Sequence, residues 1–100
     1  MLFTVTGRHI EVTESMKDYA EQKAQKLTRF FDRINEVELV TEDEAGKFRV
    51  EMMVRTDHRD TFVGRVDADD YYEAVDLVID KLERQVTKHK EKLRNRKHPG

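Results

Sequence analysis

Cysteine is absent from this 100-residue chain. Disulfide staples and thiolate metal sites are therefore excluded, and a reducing compartment fits. Proline occurs once, at Pro99, and the four glycines stand apart from one another. No Pro/Gly/Ser-rich linker divides the chain, and no glycine-rich loop exists to cradle a phosphate. No apolar run approaches the ~20 residues that a membrane-spanning helix needs. The opening Met1-Leu2-Phe3-Thr4-Val5-Thr6 lacks the basic start and long apolar stretch of a secretory signal. A cytoplasmic protein is the expectation. Histidines are few, and His9, His58, His89 and His98 fall in different elements with no metal-ligand spacing. Neither a metal nor another cofactor is expected.

Charge is abundant and unevenly placed. Asp, Glu, Lys and Arg make up 40% of the residues, yet the formal net charge is only −2. From Lys81 to Gly100 there are eight Lys or Arg and two Asp or Glu. The first eighty residues hold the other eleven basic and nineteen acidic ones, so a −8 body is joined to a +6 end. Hydrophobic content is low, at 37%, but the apolar residues are strongly patterned, which argues for one folded domain rather than disorder.

The pattern gives the order β-α-β-β-β-α. Phe3 and Val5 alternate with Thr4 and Thr6, and Gly7 ends the strand. Thr13 is an N-cap for a helix over 14–31, with Met16, Tyr19, Ala20, Ala24, Leu27, Phe30 and Phe31 at helical spacing. From Glu36 the period becomes two. Val37 and Leu39 lead to a turn at Glu42-Asp43-Glu44-Ala45-Gly46, where Gly46 is free to take a positive φ. Phe48, Val50, Met52 and Val54 form the next strand, Asp57 to Asp60 a turn, and Phe62, Gly64 and Val66 line the last strand. Asp69 or Asp70 caps a final helix over 71–93.

One apolar sheet face must be covered, and two amphipathic helices are available. The expected architecture is α+β: a four-stranded mixed sheet with both helices on one face, the first two strands parallel if they are neighbours. The expected core is Phe3, Val5, Tyr19, Leu27, Phe30, Leu39, Val50, Met52, Phe62, Val66, Val75, Val78, Ile79 and Leu82. The other sheet face, carrying Glu36, Glu38, Arg49, Glu51, Arg55 and Arg65, is expected to meet water. Residues 1–95 form the domain and 96–100 a short basic tail.

No catalytic constellation emerges. Asp69-Asp70 suits helix capping better than acid–base work, and His89 sits in line with the apolar side of its helix. An enzyme acting on a small molecule is not expected. Polyanion binding is the chemistry left. Lys81, Arg84, Lys88 and Lys92 make one helical stripe, segregated from Glu73, Asp76, Asp80, Glu83 and Glu91. Lys26, Arg29 and Arg33 share a flank of the first helix if that helix reaches Arg33. Side by side, the two helices would merge these flanks into a basic surface for structured nucleic acid, read by shape and charge. A merely solvated helix face has the same pattern. A double-stranded-RNA-binding domain has a similar fold but a basic start to its last helix, where this chain has Asp69-Asp70-Tyr71-Tyr72-Glu73.

Several segments, in order, carry a family resemblance: Thr6-Gly7-Arg8-His9-Ile10-Glu11-Val12-Thr13, Lys23 to Leu27, Phe31-Asp32-Arg33-Ile34-Asn35, Asp70 to Asp76, and above all Asp80-Lys81-Leu82-Glu83-Arg84-Gln85-Val86 with Lys88-His89-Lys90-Glu91-Lys92-Leu93. Over about residues 3–93 the chain resembles the ribosome hibernation-promoting factors, also called ribosome-associated inhibitors or sigma-54 modulation proteins. The resemblance implies the same fold. It implies binding to ribosomal RNA of the small subunit in the channel for messenger and transfer RNA, so that idle ribosomes are silenced in stress or stationary phase.

The matching basic positions are Lys23, Lys26, Arg33, Lys81, Arg84, Lys88, Lys90 and Lys92, with Arg8 and Arg29 extending them where the family pattern is looser. Tyr71 stands where the family usually has Met, and Glu73 where it often has Ala. The chain is either a short form or the N-terminal piece of a long one. An adaptor acting on a transcription factor is the alternative function, and Met53 and Val63 on the outer sheet face are its few candidate contacts.

Overall fold

The computed structural model describes residues 1–31, 33–57 and 60–96, with side chains of the last helix described as far as Glu91. His58, His98 and the residues after Arg96 lie outside them, as does the side chain of Lys92. Strand β1 (Leu2–Arg8) leads to helix α1 (Glu14–Ala24), which tightens into a 3₁₀ turn (Gln25–Arg29). Strands β2 (Ile34–Glu44), β3 (Lys47–Thr56) and β4 (Thr61–Ala68) follow, and helix α2 runs from Tyr71 to Arg96. The sheet order is β1-β2-β3-β4, with β1 parallel to β2 and the other pairs antiparallel.

Both helices cover one sheet face, as the apolar alternation requires. Val37, Leu39, Val50, Met52 and Val54 point into the core, meeting Met16, Ala20, Ala24 and Leu27 from the α1 segment. From α2 come Val75, Val78, Ile79, Leu82 and Val86. Phe3, Val5, Tyr19, Phe30, Phe62 and Val66 pack around this centre, half-buried. Gly64 sets how closely α2 approaches β4. A methyl group there would stand 3.2 Å from Val78 Cγ2 and 3.3 Å from Leu82 Cγ, tighter than ordinary packing.

Caps and turns follow from local chemistry. The Thr13 hydroxyl accepts from Met16 N (3.1 Å), and the Asp70 carboxylate accepts from Glu73 N (3.2 Å). Asp70 is thus the cap of α2, while Asp69 pairs with Lys47 (2.7 Å). The β2–β3 turn is the two-residue Ala45-Gly46, both at positive φ (52° and 82°), so β2 continues through Glu44. The expected helix over 14–31 divides at Ala24. Thr28 donates its hydroxyl to Gln25 O (2.7 Å), a local competitor for the backbone that tightens the turn. Helix α2 extends three residues past its expected end and takes up Arg96, the first residue of the expected tail. Arg94 and Arg96 suit a helix C-terminus, and no breaker occurs before Pro99.

The core contains one mismatch. Thr41, on the inner face of β2, is fully buried and its hydroxyl has no hydrogen-bond partner among the described residues. Thr41→Val keeps the shape and removes the unsatisfied group. It is expected to stabilise the fold by about 1–2 kcal/mol, read as a rise in thermal midpoint of roughly 4–8 °C per kcal/mol for a domain of this size.

A second expectation concerns alkali. Tyr71 is buried where α1 and α2 meet and donates its hydroxyl to Met16 O (2.9 Å). Burial, with a smaller contribution from Tyr72, pushes its phenol up to about 12 from an ordinary 10.0. The folded state therefore holds this proton more tightly than the unfolded one. The stability it provides is complete below pH 10 and is lost as pH rises from there towards 12. Denaturant midpoints measured across that window are expected to fall less steeply in Tyr71→Phe.

Candidate nucleic-acid interface

Cations occupy both faces of the molecule, but in different states. On the open sheet face each described cation of β3 and β4 has a carboxylate. Arg49 pairs with Asp67 (2.9 Å), Arg65 with Glu51 (2.7 Å), Arg55 with Glu36 (3.7 Å), and Lys47 with Asp69. These are cross-strand ladders on exposed surface. Arg49 and Lys47 hold Asp67 and Asp69 below the usual carboxylate range by direct hydrogen bonds. Such a face is neutralised within itself and offers phosphate little. Arg8 lies on this face, at the end of β1, lining a shallow depression with Val40, Glu42, Arg49, Glu51 and Arg65. It is apart from the helices and does not join their cations.

The helix cations differ. Among the described residues, Lys23, Lys26, Arg29, Lys81, Arg84, Lys88 and Lys90 form no ion pair within 4.0 Å, nor does Arg33, which lies past the end of the 3₁₀ turn rather than on the helical flank expected of it. Their arrangement corrects the expectation of one merged flank. Lys23 and Lys26 line an open groove of about 200 Å³ between the helices, and across it stand Asp76, Ile79 and Asp80 of α2. The acidic flank of α2 thus turns toward the cations of α1, as charge complementarity favours. Its basic flank turns the other way. Lys81 Nζ donates to Arg65 O (3.0 Å) and Gln85 Nε2 to Val63 O (2.8 Å), so α2 side chains cap open carbonyls along the β4 edge. An acidic seam separates the two basic groups over the first turns.

The segments that carry them approach each other at one end. Phe31 packs edge-to-face on Phe62 (4.9 Å), and Phe62 on His89 (5.5 Å), whose Nε2 lies 3.7 Å from Asp60 Oδ2. Arg29 and Arg33 flank Phe31 in sequence, as Lys88 and Lys90 flank His89, and all four are exposed. Arg33 is also held at positive φ (53°), with its carbonyl accepting from Asp57 N. Helix α2 is ~39 Å long and β4 only ~27 Å, so the last turns project past the sheet. The opposite end carries the Glu42-Asp43-Glu44 hairpin with Asp67, Asp69 and Asp70. The 51 × 25 × 18 Å molecule is an electrical dipole along its length, suited to steering its basic end onto a polyanion.

The chain has known relatives. Residues 3–94 match the family described as sigma 54 modulation protein / S30EA ribosomal protein. The chain belongs to that family. A ribosome hibernation promoting factor of Azotobacter vinelandii is 37% identical over 92 residues, covering 92% of this chain and 85% of the relative. One of Escherichia coli K12 is 38% identical over 100 residues, covering 94% and 98%. Among solved structures, a ribosomal subunit interface protein from Coxiella burnetii superposes with a TM-score of 0.79 at 26% identity, over 91% of this chain and 99% of that one. The N-terminal domain of Thermus thermophilus Protein Y gives 0.78 at 28%, over 89% and 99%. Family membership accounts for the four-stranded mixed sheet with two helices on one face.

Among the described residues, no group of three or more His, Asp or Glu is arranged to hold a metal ion, and no helix is long and apolar enough to cross a membrane. Two features escaped the sequence pattern. The edge-capping contacts of Lys81 and Gln85 depend on which strand lies beneath α2, which spacing does not encode. The tyrosine cluster of Tyr19, Tyr71 and Tyr72 joins residues over fifty positions apart, with ring centroids 4.9 and 5.2 Å apart.

Proposed function

We propose that this chain is a ribosome hibernation factor of the cytoplasm. Residues 1–95 act as the binding unit. The basic end of its helix layer engages ribosomal RNA of the small subunit in the channel for messenger and transfer RNA. Occupancy alone silences idle ribosomes under stress or in stationary phase, with no covalent chemistry and no cofactor. The observation that carries this reading is the contrast between elements: among the described residues the cations of β3 and β4 are ion-paired and those named on the helix layer are not, and Lys88 and Lys90 lie where α2 projects past the sheet. The names of the relatives supply the polyanion. In this reading Lys23, Lys26, Arg29, Arg33, Arg84, Lys88, Lys90 and Lys92 meet phosphate. Lys81 divides its ammonium between phosphate and the β4 edge, and Arg8 is a peripheral contact on the other face.

An adaptor function finds less support. On the outer sheet face the exposed Val63 stands beside its cross-strand partner Met53, which is half-buried, and Leu77 is exposed on α2; a pair and a lone side chain are a small apolar surface for a partner. Co-sedimentation with small ribosomal subunits tests the proposal. The protein is expected to pellet with subunits at low salt and to be released at high salt. Protein that stays in the supernatant at low salt would overturn it.

A further inference from the structure

Most aromatic side chains of this fold are committed to the core, and the sheet offers no stacking platform because Phe48 and Phe62 point inward. Tyr72 is the exception. It is the one aromatic among the exposed large apolar residues, at 36% exposure. Its ring is held edge-to-face by Tyr19 on one side (4.9 Å, 90°) and by Tyr71 on another (5.2 Å, 84°), so it is positioned before any ligand arrives. The hydroxyls of Tyr19 and Tyr71 are spent on Asp76 Oδ1 and Met16 O. That of Tyr72 has no protein partner among the described residues. The Lys23 ammonium lies 5.4 Å from the centre of the Tyr19 ring, and the groove lined by Lys23, Lys26 and Asp76 opens beside it.

We propose that Tyr72 is a stacking site for one unpaired RNA base, whose phosphate rests on Lys23 and Lys26. The proposal rests on the RNA-binding reading above and adds a contact to it. Asp70 and Glu73, beside Tyr72 in sequence, repel phosphate but not a base. A nucleotide turned with its base toward Tyr72 and its phosphate toward the lysines satisfies both fields. Asp76 is fixed by Tyr19, and its carboxylate is an acceptor for the exocyclic amine of such a base. The acidic seam, which no purely phosphate-binding surface needs, then has a role. Stacking on a rigid aromatic beside cations is the usual way single-stranded positions in folded RNA are held.

The test compares Tyr72→Phe, Tyr72→Leu and Lys23→Ala with the unmodified chain in binding to purified small ribosomal subunits across a salt series. Phe keeps the π-face and is expected to bind within about threefold of the parent. Leu keeps apolar bulk without the face and is expected to lose roughly 10- to 100-fold. Its log–log salt slope should stay parallel to the parent's, because no phosphate contact is removed. Lys23→Ala is expected to reduce that slope by about one.

The chain contains no tryptophan, so Tyr72→Trp gives a single reporter whose emission should be quenched on saturation with subunits. Leu binding like the parent, a slope altered by Leu, or unquenched Trp emission would each overturn the proposal. A parent chain that does not bind subunits would instead overturn the RNA-binding reading itself.

Discussion

Changing Arg84 and Lys88 together to Glu is expected to lower affinity for small ribosomal subunits by at least about 100-fold, through two lost phosphate contacts and two new repulsive ones. Both side chains are exposed and neither forms an ion pair among the described residues. Their replacement should therefore cost little stability, usually under about 1 kcal/mol each for solvated charges. Lys81 is better left in place for this comparison. Its ammonium caps Arg65 O at the β4 edge, so Lys81→Glu would remove a hydrogen bond worth about 1 kcal/mol and confuse a binding defect with a folding one. The readouts are co-sedimentation at moderate salt and the thermal midpoint. A double variant that still pellets with subunits would show the stripe to be a solvated face. A charge-preserving pair, Arg84→Lys with Lys88→Arg, is expected to retain most binding.

The fold was legible because every element obeys one period. Alternation placed Val50, Met52 and Val54 inward, and three-and-four spacing placed Val75, Val78, Ile79 and Leu82 against them. Thr13 and Gly46 marked their turns by side-chain chemistry that acts within a few residues. The candidate site was legible only as a set of positions. A helical wheel shows that Lys81, Arg84 and Lys88 share a flank opposed to Asp76 and Asp80. It does not show which flank turns toward the neighbouring helix. That is decided by the sheet order and by the seating of α2 on Gly64, neither of which is local. The cations of α1 then face the acidic flank, so the basic groups part along the groove, while the segments bearing them approach at the Phe31–Phe62–His89 end. Tyr72 was hidden for the same reason. Its sequence neighbours read as a capping segment, and its exposed ring is noticeable only once Tyr19 stands beside it.

Affinity for small subunits is expected to fall steeply with salt, with a log–log slope on the order of −4 to −6 if five to seven phosphates are engaged. Between 50 and 200 mM salt this amounts to a loss of roughly 250- to 4,000-fold. The unpaired cations of the helix layer suffice for that number, while the ion-paired cations of the sheet should contribute nothing. Arg49→Ala and Arg55→Ala are therefore expected to leave the slope unchanged, whereas Lys26→Ala or Lys88→Ala should each reduce its magnitude by about one. A slope that responds equally to sheet and helix variants would mean a diffuse electrostatic contact rather than a docked basic end. Docking in the channel has a further consequence. Transfer RNA needs the same anionic surface, so its apparent affinity for subunits preloaded with this protein should fall in proportion to occupancy. A filter-binding titration measures it, with the Arg84→Glu/Lys88→Glu chain as control. Unchanged transfer RNA affinity at saturating protein would exclude occlusion of the channel, even with subunit binding intact, and would move the docked end elsewhere on the subunit.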